Sequence, residues 1–93
     1  MVFPDVTQVR YLQGHRLELT FADGVVGQID LANVILGKGG VFAPLEDPIY
    51  FAKVAVNADI GTIVWPNDVD LDPEVLYSLV TGKTISNPMS RAG

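Results

Sequence analysis

Asp68, Asp70 and Asp72 alternate along Asp68-Val69-Asp70-Leu71-Asp72, the spacing at which calcium loops bring carboxylates onto a hard cation. The rest of such a loop does not follow. Counted from Asp68, the sharp-turn glycine is replaced by Pro73 and the bidentate acid by Leu79. Asp72-Pro73 instead reads as a capping carboxylate followed by proline at the first position of a helix. Negative charge on Asp72 and Glu74 in that helix's first turn is stabilising by about 0.3–1 kcal/mol each. No metal or other cofactor is expected from this pattern.

Two glycine-bearing segments invite a phosphate-binding reading and fail it. Gly82-Lys83-Thr84 resembles the end of a phosphate-binding loop, but the earlier glycine of that pattern is Tyr77 here, and the segment closes a helix rather than opening one. Gly37-Lys38-Gly39-Gly40 begins like a dinucleotide fingerprint, yet Phe42 stands where its third glycine is required. It reads as a loop between a helical turn and an extended segment. His15 is the single histidine and cysteine is absent. Thiolate nucleophiles, disulfides and cysteine- or histidine-rich metal sites are thereby excluded. His15 opens a strand beside a turn, where exposure is expected. Among the 11 acids, none is marked as a pair for carboxylate hydrolysis, so no catalytic residue is assigned.

Trp65-Pro66 is the aromatic feature with functional pull, because tryptophan is enriched at interface hot spots and this one adjoins an acidic turn. The candidate partner-binding set is therefore Trp65, Pro66, Asn67, Asp68 and Asp70. A tryptophan at a strand end also serves as a lid on the core, and the residue types leave both roles open.

The elements that position this turn follow from periodicity. Val6–Leu12 is rich in β-branched and aromatic residues and is broken by Gln13-Gly14; the run 15–21 then alternates, with Leu17, Leu19 and Phe21 on one face. Asp23-Gly24 predicts a hairpin into a third strand over 25–29. Asp30 can cap a short helical turn over 31–36, and Asp47-Pro48 predicts another through Ala52. Short strands over 53–57 and 62–65 make a second meander, and Val75, Leu76, Leu79 and Val80 share one side of a helix from about Pro73 to Thr81, ended by Gly82. The expected architecture is a small α+β fold of antiparallel meanders and short helices, with the C-terminal helix packed on the sheet. A single domain over 1–85 and a flexible tail over 86–93 complete it.

Composition bounds what such a domain can do. With 93 residues, 48% of them hydrophobic and 18% charged, the chain has the make-up of one packed soluble domain. No stretch approaches the ~20 apolar residues that span a bilayer, so no membrane association is expected and the cytoplasm is the expected compartment. Six basic residues against 11 acidic ones give a net charge of −5. That balance opposes phosphate neutralisation, so direct nucleic-acid binding is not expected and a protein partner is.

The ordered series Leu17-Glu18-Leu19-Thr20-Phe21-Ala22-Asp23-Gly24, Ile29-Asp30-Leu31 and Phe42-Ala43-Pro44-Leu45 resembles domain of unknown function 2442. Phe51, Thr62-Ile63-Val64-Trp65-Pro66-Asn67 and Asp70-Leu71-Asp72-Pro73-Glu74-Val75-Leu76-Tyr77 continue the likeness, which covers about residues 5 to 80. The resemblance implies a small bacterial α+β domain with no established activity, found alone or joined to a helix-turn-helix segment. It also implies proximity to toxin–antitoxin-like genes. The functional expectation is a non-catalytic protein-binding or regulatory module, associated with a toxin–antitoxin-like or transcription-regulating partner. The alternatives are a small carboxylate-based hydrolase and a purely self-associating structural protein. A short sheet leaves open edges, and a homodimer is an economical way to cover them.

Overall fold

The computed structural model describes residues 4–82. Its first half is a meander of three strands, β1 (Val6–Gln13), β2 (Arg16–Phe21) and β3 (Val26–Asp30), in the order β1-β2-β3. Strict alternation in β2 sets the faces: Leu17, Leu19 and Phe21 are buried, and Arg16, Glu18 and Thr20 lie on the other side. Tight turns require positive φ, which Gly14 (φ 55°) and Gly24 (φ 92°) supply without a Cβ penalty. Two register breaks interrupt the β1–β2 ladder, whereas the β2–β3 ladder runs unbroken.

Asp30 Oδ1 accepts the Ala32 N–H over 2.9 Å, and the helical turn α1 covers Ala32–Ile35. A 3₁₀ segment then spans Gly40–Glu46, where the residues predict an extended stretch. Gly39 (φ 69°) and Gly40 (φ 55°) turn the chain, Phe42 N–H donates back to Gly39 O over 3.1 Å, and Leu45 is carried into the core. Helix α2 (Pro48–Phe51) begins as expected, with Asp47 accepting the Ile49 N–H and proline following the cap.

Strands β4 (Ala55–Asn57) and β5 (Thr62–Val64) form a second antiparallel pair. Val6 N–H donates to Gly61 O over 2.9 Å, joining this pair to the start of β1. Helix α3 (Pro73–Thr81) has the predicted bounds. Asp72 accepts the Glu74 N–H at its start, and Gly82 (φ 76°) ends it, its N–H bonded to Ser78 O. That left-handed cap is the role Gly82 plays; Lys83, Thr84 and the expected tail over 86–93 lie outside the described residues. The core is one cluster that joins Leu17, Leu19 and Phe21 of β2 to Phe51, Ile63, Trp65 and Leu76. Helix α3 lies on the sheet's inner face, with the Tyr77 ring edge-on to Phe21 at 5.0 Å between centroids and Val80 against Gly27.

Candidate partner-binding turn

The chain leaves β5 at Trp65 and reverses at once. Asp68 N–H donates to Trp65 O and Trp65 N–H donates to Val69 O, each over 2.9 Å, and Val64 bridges antiparallel to Asp70. Pro66, Asn67 and Asp68 are the loop of this small hairpin. Proline supplies the fixed φ that suits the first loop position, and the last position is left-handed, with Asp68 at φ 66°. Aspartate and asparagine tolerate that region better than other side-chain-bearing residues, because their short polar groups can bond locally.

Beyond the loop the strand-like alternation decides which side chains reach solvent. Val69 and Leu71 are buried, and Asp68, Asp70 and Asp72 are exposed. Asp72 is engaged as the α3 cap over 2.9 Å. The Asp68 and Asp70 carboxylates accept no hydrogen bond from any described residue. Asn67 Nδ2 donates to Val41 O over 3.1 Å, tying the loop to the 3₁₀ segment and setting the 62% exposed Val41 beside it. Thr62, itself buried, donates to Leu71 O over 2.6 Å and fixes the far strand of the hairpin.

Trp65 takes the other of its two open roles. Its side chain is 2% exposed, its Nε1–H donates to Phe51 O over 2.9 Å, and its ring lies 5.4 Å from that of Phe51. The indole supplies no surface. What the structure leaves for contact from the predicted set is Pro66, Asn67, Asp68 and Asp70, all exposed, with Val41 added by the Asn67 bond. No local signal in the sequence links Val41 to this turn, since 26 positions separate it from Asn67.

His15 is not the exposed residue its place beside a turn suggests. Its Nε2 lies 2.9 Å from Leu45 O, a carbonyl that can only accept, so this nitrogen carries the proton. The ring stands edge-on to Phe51 at 4.8 Å. Histidine here fastens the first hairpin to the 3₁₀ segment and α2. Among the described residues no group of three or more histidine and acidic side chains is placed to hold a metal ion, and no helix is long and apolar enough to cross a membrane.

Two antiparallel sheets, short helices and a C-terminal helix laid on the first sheet define a small α+β domain. The chain belongs to the family described as protein of unknown function DUF2442, which matches residues 6–90. No curated protein matches it. It is similar to the crystal structure of NE0471 from Nitrosomonas europaea, described as a candidate DNA-binding protein, with a TM-score of 0.71 and 27% identity. The likeness covers 86% of this chain and 50% of that one, so this chain spans half the length of NE0471.

Proposed function

We propose that this chain is a non-catalytic module that binds a protein partner through Pro66, Asn67, Asp68 and Asp70 together with Val41, and that the partner is a transcription-regulating or toxin–antitoxin-like protein. The observation that carries the reading is a rigid turn whose two exposed carboxylates, Asp68 and Asp70, do no work within the described fold. Asn67 pins the loop to the 3₁₀ segment, so little ordering entropy is left for a partner to supply. Basic side chains on that partner would meet the two carboxylates, and an apolar group would cover Val41 and Pro66. The likeness to half of a candidate DNA-binding protein supports a regulatory setting. The net charge of −5 favours an indirect role, through a partner that itself contacts phosphate.

The test is an affinity pull-down of the tagged chain from its own host's lysate, with and without nuclease, alongside an Asp68→Gly/Asp70→Asn variant. Glycine at 68 keeps the left-handed φ that alanine would strain. The reading stands if one stoichiometric protein survives nuclease and is lost with the folded variant. Retention by the variant moves the contact elsewhere, and a DNA band shift by the isolated chain at physiological salt overturns the indirect role.

A further inference from the structure

The three-stranded sheet ends on β3, and its ladder shows which backbone groups of that strand are spent. Phe21 N–H donates to Val25 O and Leu31 N–H to His15 O, each over 2.8 Å. With the unbroken register from Arg16↔Asp30 to Thr20↔Val26, residues 25, 27, 29 and 31 bond inward to β2. Val26, Gln28 and Asp30 therefore aim their N–H and C=O groups away from the sheet. No described residue bonds that outward row.

The other edge is defended. β1 carries two register breaks, and its start is bonded to Gly61 of the second hairpin. β3 has no break in its ladder, no proline and no lysine, the devices by which sheets block edge pairing. It presents instead Val26, 56% exposed.

We propose that β3 is a dimerisation edge: a second copy of this chain pairs with it antiparallel about a two-fold axis at Gln28, joining the two three-stranded sheets into one. Charge selects the register. With the axis at Gln28, Asp30 stands opposite the partner's Val26 and diagonal to the partner's Gln28, whose carboxamide can donate to the carboxylate. An axis at Asp30 would set two carboxylates face to face, and an axis at Val26 would run Gln28 onto the partner's Gly24, a turn residue. The Gln28 axis uses all three outward residues of each copy, with two N–H···O bonds at every pair. This axis is perpendicular to the sheet, so both α3 helices come to the same side, where the 46% exposed Leu79 is available for burial.

The test is the mass of the whole chain by sedimentation and light scattering from low to high micromolar concentration, for the wild type, Val26→Glu and Gln28→Pro. Proline at 28 removes an N–H that the chain's own ladder does not use, and glutamate at 26, an exposed site, sets a second carboxylate opposite the partner's Asp30 at both ends of the pairing. The expected result is twice the 10.0 kDa chain mass for the wild type, and monomers with unchanged circular dichroism for both variants. Should proline disturb folding, Val26→Glu decides alone. A wild type that stays monomeric throughout overturns the proposal, as does a dimer that persists in folded Val26→Glu. Neither substitution touches residues 66–70, so the outcome is separate from partner capture by that turn.

Discussion

Tyr77 Oη donates a 2.7 Å hydrogen bond to Asp23 Oδ2 across 54 positions of sequence, joining the middle of α3 to the turn between β2 and β3. The same tyrosine ring stands edge-on to Phe21 at 89°. One side chain thus holds the helix at the tip of the hairpin twice, by an aromatic contact toward the core and a charge-assisted bond toward solvent.

The bond makes the docking of α3 sensitive to alkali. Its hold on the hydroxyl proton raises the Tyr77 pKa above the ordinary 10.0, with desolvation and the Asp23 charge adding in the same direction. A folded-state pKa raised above the unfolded one gives a contribution that is whole below about pH 10 and is lost as pH rises through the folded value. Resonances of the Tyr77 ring followed by NMR should titrate above 10.0 in the wild type and move back toward it in Asp23→Asn. A Tyr77 titration that Asp23→Asn leaves in place would refute the assignment.

Gly27 faces α3 with no room to spare: a Cβ built there overlaps the Val80 Cγ1 methyl. Valine in a helix is confined largely to one rotamer, so the methyl cannot swing clear at low cost. Gly27→Ala is expected to destabilise the fold by about 1–3 kcal/mol, as overpacking does. Chemical denaturation of Gly27→Ala, Val80→Ala and the double variant should show the double variant recovering part of the loss. Simple addition of the two single effects would mean the helix relaxes away from β3.

How much of this was legible in the residues depended on distance along the chain. Helix α3 could be read to its bounds, because Asp72-Pro73, the apolar spacing of Val75, Leu76, Leu79 and Val80, and Gly82 are all local signals. The hairpins were equally plain from Gln13-Gly14 and Asp23-Gly24. The direction of Trp65 was not, since it depends on a carbonyl 14 positions away, that of Phe51. The half-buried position of His15 depends on Leu45, 30 positions away. The 3₁₀ segment escaped because Gly39 and Gly40 permit many backbone paths, and it is the burial of Leu45 that selects one. The acids of the turn were legible as exposed; that Val41 joins them was not.

The turn itself separates backbone from charge. Asp68 sits at φ 66°, so Asp68→Gly should leave stability unchanged or raise it slightly, whereas Asp68→Val should cost about 1–2 kcal/mol by forcing a β-branched residue into the left-handed region. Asp72→Ala, by contrast, removes the bond to Glu74 N–H and is expected to cost about 1 kcal/mol. Thermal melts of the three variants check the order. Equal losses for Asp68→Gly and Asp72→Ala would mean that the Asp68 carboxylate carries a contact within the fold.

Trp65 is where stability and recognition are easiest to confuse. Its indole fills the core beside Phe51 and satisfies that residue's carbonyl. Trp65→Ala would open a cavity and remove one of two donors to the Phe51 carbonyl, which keeps the Val54 N–H at 3.2 Å; the cavity sets a loss of about 3–5 kcal/mol, a large part of the stability of a domain this small. Any partner lost with that variant is therefore lost to unfolding. Trp65→Phe keeps most of the volume but not the donor, and is expected to cost about 1–3 kcal/mol while leaving the turn's exposed acids in place. Paired denaturation and pull-down measurements on Trp65→Phe distinguish the two roles. A folded Trp65→Phe that binds as the wild type does agrees with contact through Pro66, Asn67, Asp68, Asp70 and Val41, whereas loss of the partner at full stability would show that the indole reaches it after all.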